Sequence, residues 1–324
     1  MRPRDELTER IALHRREKLG PLSESAYREL VAAVRKDPSS FLDDPSDVAF
    51  SVLVDALDRY GKRMSNEEAL DDNQWRKARK ERLSCLASEC ENALAIDPAC
   101  SDAALCQTLA RNPFADELLA SLFKLEAAAK AHNQHLYSSV GKDAWADVFA
   151  HGYLRIRAAI ARACINTSRY RMAEKVCKEL LATSPQDEVG ARYTYALALA
   201  RLEDEAGFDE LDARGGRRGN SWLHLSRVIL LYKLDRMSSA KRALCGFSHL
   251  VEGGAYALLR PIWVDSYIPD RPEEHPCSFG EATLAVHEAD PIIVDTPDLI
   301  AWAESQPEVA RDAKQFANAR GFAW

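Results

Sequence analysis

The sequence lacks any stretch approaching the roughly 20 consecutive apolar residues that a membrane-spanning helix requires, which argues against a transmembrane protein. Basic excess is also missing. A formal charge of -7 argues against a general nucleic-acid binder or a protein held on anionic lipid. The first residues, Met1-Arg2-Pro3-Arg4-Asp5-Glu6, are charged where a signal peptide would be apolar, so a cytoplasmic protein is expected. Eight cysteines occur without a C-x-x-C pair, and Cys85, Cys90, Cys106, Cys164, Cys177 and Cys245 fall at or beside apolar helical positions. They read as small reduced core residues and not as metal ligands or disulfides. Nor is there a G-x-S-x-G, a G-x-x-x-x-G-K-[ST] or a G-x-G-x-x-G, which removes the common signatures of serine hydrolases and nucleotide binders.

What is present is helical periodicity in a chain that is 47% apolar, an ordinary share for a folded protein. The clearest stretch runs from Trp145 to Pro185. Trp145, Val148, Phe149, Gly152, Ile156, Ala159, Ile160 and Ala163 form one helical stripe, and after Asn166-Thr167-Ser168 a second follows through Tyr170, Ala173, Val176, Cys177, Leu180 and Leu181. So short a connection predicts an antiparallel pair. One pair cannot cover its own apolar surface, so further pairs should stack beside it.

Before this pair, helices are expected over Glu6 to Leu19, from Ser23 or Ser25 to Val34, and from Asp47 to Gly61, the last ended by its glycine. Ser65 and Glu68 have capping-box spacing. Leu83, Leu86, Ala87, Cys90, Ala93 and Leu94 predict a helix from Trp75 to Ile96. Among these residues Arg76, Lys77, Arg79, Lys80 and Arg82 read as a solvated helical face. Beyond the central pair, Tyr193, Ala196, Leu197 and Ala200 begin another first helix, as do Trp222, Leu225, Val228, Ile229 and Tyr232. Pro261, Pro269, Pro272 and Pro276 exclude a regular helix from 261 to 277. Helices should resume at Ser278, at Pro297 and at Pro307, the last opened by Ser305 with Glu308, and Phe316, Phe322 and Trp324 could close the end of the stack.

The run Glu91-Asn92-Ala93-Leu94-Ala95-Ile96-Asp97-Pro98 resembles the end of the second helix of a tetratricopeptide repeat. With Pro185 at the repeat's closing proline, Ala161 and Ala173 fall on its two small-residue positions, and Ala240 follows Ala173 by 67 residues, close to two periods of about 34. The C-terminal third resembles tetratricopeptide-like proteins of the suppressor of tumorigenicity family. The resemblance rests on Ala255-Tyr256-Ala257-Leu258-Leu259, the proline-rich loop, Gly280-Glu281-Ala282 and Thr296-Pro297-Asp298-Leu299-Ile300-Ala301-Trp302, and covers roughly residues 185 to 303. Asp298 stands where the family pattern has glycine, and no Asn-Pro precedes Tyr256. The resemblance implies a helical fold and brings no catalytic residues.

Candidates for chemistry are few. His132 and His135 could share a metal on one helical face, but no completing ligand lies at a suitable spacing. His275 and Cys277 pair an imidazole with a thiol across Pro276 in a loop, without the signs of a lowered thiol pKa. Gly215-Gly216-Arg217-Arg218-Gly219 lacks the strand of a phosphate loop and reads as a polar turn. Glu67-Glu68, Asp71-Asp72 and Glu273-Glu274 sit in polar surroundings. What remains is the trough between stacked pairs. Arg155, Arg162 and Asn166 flank the central stripe at spacings of seven and four, and Arg192 and Tyr193 open the next first helix. These five are expected to meet an acidic segment of a protein or peptide partner, arginine being suited to bidentate capture of carboxylates.

The expected architecture is therefore all-α. Irregular N-terminal helices over 1–74 precede a solenoid of antiparallel helix pairs with tetratricopeptide-like, right-handed geometry over 75–250, and a proline-rich loop with C-terminal capping helices completes 251–324. The expected function is a non-catalytic adaptor or scaffold without cofactor or metal. A peptide- or ligand-sensing regulator is the alternative, and a hydrolase or metal-dependent enzyme built on the proline-rich loop is a distant third.

Overall fold

The computed structural model describes residues 2–67, 70–132, 143–215 and 219–324. Among these residues the chain forms sixteen α-helices and no strand, as the periodicity predicts. It divides into two compact units: Met1–Arg157 with Ile268–Asp270, and Ala158–Tyr267 with Arg271–Trp324.

Unit 1 contains α1 (Pro3–Leu19), α2 (Glu24–Lys36), α3 (Pro45–Asn66), α4 (Asp72–Ile96), α5 (Ser101–Ala110), α6 (Ala115–His132) and the first residues of α7 (His151–Asn166). Short polar side chains start several of these helices. Ser23 accepts from the Ala26 amide, Asp44 from Ser46, and Asp71 from both Asn73 and Gln74. α3 lies against α4, α4 against α5 and α5 against α6, while α1 packs on α2 and α3. Leu7, Ile11, Phe50, Leu53, Leu86, Cys90 and Cys106 fill the core between them.

Several local expectations change. α3 runs through Gly61 to Asn66, because a lone glycine lowers helix propensity without removing a hydrogen bond. Ser65 is thus inside a helix, α4 is capped by Asp71, and Glu68 lies outside the described residues. Arg82 is not part of a solvated face. It is 2% exposed and forks onto Glu67 at 2.9 and 3.0 Å. Trp145 precedes α7, in one of two short 3-10 turns started by Asp143 and Asp147, whose carboxylates accept from the amides of Trp145 and Phe149. The expected boundary at 74/75 falls inside α4, within this unit.

Unit 2 contains the rest of α7, α8 (Tyr170–Thr183), α9 (Ala191–Leu202), α10 (Glu205–Arg214), α11 (Ser221–Lys233), α12 (Met237–Leu250), α13 (Gly254–Leu259), α14 (Phe279–Val294), α15 (Leu299–Glu304) and α16 (Pro307–Arg320). The connections α7–α8, α9–α10 and α11–α12 share one construction. A residue in the left-handed region, Ser168, Glu203 or Asp235, is followed by one whose amide donates five residues back: Arg169 to Cys164 at 2.7 Å, Asp204 to Leu199 at 3.1 Å, Arg236 to Leu231 at 3.0 Å. This is the Schellman closure, which satisfies carbonyls left over at a helix end and turns the chain sharply. The three left-handed residues lie 35 and 32 residues apart, close to the period expected from Ala173 and Ala240. α8 packs on α9, α9 on α10 and α11, and α11 on α12 and α14.

The segment from 261 to 277 is free of helix, as its prolines require. Ser278 caps α14 as expected, accepting from the Glu281 amide at 3.2 Å. Ser305 does not cap α16. Gln306 precedes that helix, and the Ser305 hydroxyl donates to the Trp302 carbonyl. Tyr256, Phe279, Phe316 and Phe322 cluster with ring centroids 4.7 to 6.2 Å apart, so α13, α14 and α16 are joined by aromatic packing, and the expected boundary at 250/251 falls inside this unit.

A left-handed backbone is costly for glutamate and nearly free for glycine. Replacing Glu203 by glycine should raise the unfolding free energy by roughly 0.5–1 kcal/mol, after allowance for glycine's greater unfolded-state entropy, as read from urea denaturation.

Candidate functional site

The densest charged constellation in unit 1 is built from three helix ends and one non-helical tripeptide. On α1, Glu6 and Arg10 stand one turn apart and pair at 2.8 Å. Asp102 lies in the first turn of α5, and α7 brings His151 and Arg155 one turn apart on one face. The close approach of α7 to α5 requires Gly152, where a Cβ would stand 2.7 Å from Asp102 Oδ2 and 3.0 Å from Ser101 Cβ.

Arg155 is the hub. Its Nη2 donates to Glu6 Oε2 at 2.8 Å, its Nη1 to Asp102 Oδ1 at 2.8 Å and to Glu6 Oε1 at 3.2 Å, and its Nε to Asp270 Oδ2 at 2.9 Å. Arg10 spans the same two helical carboxylates, reaching Asp102 Oδ2 at 2.9 Å while its guanidinium lies 3.9 Å from the centroid of Phe50. His151 Nδ1 lies 3.3 Å from Glu6 Oε2 and its Nε2 is 2.9 Å from the Trp145 carbonyl, with the Trp145 ring stacked on it at 3.9 Å.

Glu6 is fully buried and Arg155 is 3% exposed, whereas the Asp270 side chain keeps 45% of its exposure. Burial by itself would push the Glu6 carboxyl up. The His151 contact and the Arg155 and Arg10 guanidiniums outweigh it and hold the group well below the usual carboxylate range. Arg155 shows the converse. Burial would lower it, but Asp270, Asp102 and Glu6 together raise it well above its ordinary value. The site therefore keeps its charges, and its chemistry is the holding of carboxylates.

A second constellation belongs to unit 2. Arg271 forks onto Glu288 at 2.7 and 2.8 Å, donates to the Gly190 carbonyl and Thr194, and lies about equally far from the rings of Tyr193 and Trp222, at 5.0 and 5.1 Å. Trp222 Nε1 also donates to Glu288, at 3.0 Å. Burial would raise Glu288, yet Arg271 and Arg162 bring it below its ordinary value.

The five residues expected to meet a partner are divided between the two units. Arg155 belongs to unit 1 and Arg162, Asn166, Arg192 and Tyr193 to unit 2. Arg155 is buried on carboxylates of its own chain. Arg192 likewise holds Asp187, at 2.7 Å. Arg162 lies 5.8 Å from the Tyr267 ring, Asn166 is exposed at the end of α7, and Tyr193 stacks on Trp222 at 4.5 Å. Helical spacing placed the arginines on a common flank but could not reveal carboxylates arriving from far along the chain. Glu6, Asp102, His151 and Asp270 were missed for that reason, although the four-residue spacings of Glu6 with Arg10 and His151 with Arg155 were visible.

Of the other candidates, Cys277 has its thiol pushed up by burial and then by Glu281, which opposes thiolate formation. Among the described residues no group of three or more His, Cys, Asp or Glu is arranged to hold a metal, and His135 and Arg217–Arg218 lie outside them. No described helix is long and apolar enough to cross a membrane.

Because Glu6 is depressed, the stability it contributes is present above its ordinary value of 4.5 and is lost as pH falls toward its folded value. Glu6→Gln should cost about 3 kcal/mol at neutral pH, and the gap from wild type should narrow steadily below pH 4.5, as measured by urea denaturation across that range. Comparison with protein-family models, with curated proteins and with solved structures finds no match to this chain.

Proposed function

We propose that this chain is a non-catalytic adaptor that binds non-helical, carboxylate-bearing peptide segments on helix pairs of tetratricopeptide-like geometry, in the cytoplasm. The observation that carries this reading is the way unit 1 holds Ile268–Asp270. A non-helical tripeptide lies on a helical framework, with Ile268 against the apolar core and Asp270 on Arg155. Helical arrays that bind peptides use the same division of labour, in which an apolar anchor supplies affinity and a charge-assisted bond fixes register. The three Schellman-closed pairs at intervals near 34 residues, and the resemblance of the C-terminal third to tetratricopeptide-like proteins, support the repeat geometry.

The reading is tested with a panel of labelled, disordered peptides titrated into the full chain. Affinity should rank with an aliphatic residue placed two before an aspartate or glutamate, and should fall about tenfold when that carboxylate becomes an amide. A flat ranking across the panel would end the adaptor reading.

A further inference from the structure

We propose that Arg155 and the neighbouring apolar surface of unit 1 form a binding slot for an acidic segment of a partner, and that the chain's own Ile268–Asp270 is its displaceable occupant. This rests on the peptide-binding reading above and adds its regulation.

Charge balance supplies the first argument. Glu6 and Asp102 face Arg10 and Arg155, so the deeply buried carboxylates and guanidiniums match without Asp270. Asp270 brings a third negative charge to the same cluster, and it does so from a half-exposed position. Glu6 and Asp102 take the two Nη atoms of Arg155 and fix the plane of the guanidinium. Its Nε–H is the donor directed to the outermost carboxylate. That donor is held in place whichever carboxylate it meets, as preorganised recognition requires.

The way the tripeptide is attached supplies the second argument. It lies in a segment free of helix, and among the described residues no backbone–backbone hydrogen bond involves Ile268, Pro269 or Asp270. Ile268 is only partly buried against the core. Side chains therefore do the holding within the tripeptide, through one aliphatic contact and one ion pair whose acid is half-exposed. A segment from another molecule that offers an aliphatic residue, one spacer and an aspartate or glutamate in the same non-helical form would satisfy the same two contacts. The resident tripeptide competes with it at the high effective concentration of a tethered ligand. Partner capture is thereby weakened until the tripeptide is outcompeted or drawn away.

The test uses the full chain and an amidated, fluorescein-labelled peptide of residues 264–270 added in trans. Asp270→Asn should bind this peptide about tenfold more tightly than wild type, by fluorescence anisotropy, and the peptide carrying asparagine in place of its final aspartate should lose the gain. Equal binding to both chains would overturn the occupant while leaving the adaptor reading intact. Binding to neither chain would overturn the slot and the adaptor reading together.

Discussion

The interaction on which unit 1 depends is the burial of the Arg155 guanidinium. Removing such an ion from water costs several kcal/mol, and it is tolerated only where carboxylates meet its donors in the right geometry. Glu6, Asp102 and Asp270 meet them from three places far apart in sequence. The consequence is a constraint on tertiary structure. The first turn of α1, the first turn of α5 and the second turn of α7 must arrive together, and Gly152 is the residue that lets α5 and α7 come so close. Arg10 then ties Glu6 to Asp102 a second time, so neither carboxylate depends on one partner alone.

Unit 2 follows a similar rule with different parts. Arg271, from the proline-rich segment, forks onto Glu288 of α14 and lies beside the stacked rings of Tyr193 of α9 and Trp222 of α11. Glu281, two turns earlier on α14, accepts from the amide and hydroxyl of Ser221 and from the Cys277 amide. The segment that cannot form a helix is thus fixed by side chains, since proline removes the amides that a ladder would use. Apolar packing alone would leave such a segment poorly positioned.

Much of the fold was legible because helices announce themselves locally. The α8 stripe of Tyr170, Ala173, Val176, Cys177 and Leu180 is buried as its spacing implied, and Ser278 caps as its position implied. Trp145 was misplaced because Asp143 and Asp147 compete for nearby amides and make turns instead of a helix. The site was far less legible. Arg82 and Arg155 carry the composition of surface residues, and only the approach of Glu67 or of Glu6 and Asp102 converts them into core residues. No periodicity within one helix contains that information. It resides in pairings across as many as 149 positions.

A buried arginine that is already balanced differs from a surface arginine in what it can recognise. A surface side chain must give up rotamer freedom to bind a carboxylate, and solvent screens the pair, so selectivity is slight. Arg155 has surrendered that freedom in folding, and its two Nη atoms are already committed, so what it presents is a single directed N–H beside an aromatic ring, with the Trp145 centroid 5.6 Å from its guanidinium carbon. An amide oxygen could accept that N–H, but it would bring no charge to a strongly polarised site, and a phosphate would bring excess negative charge against the buried carboxylates behind it. A carboxylate satisfies both demands, and it is the group that Asp270 supplies.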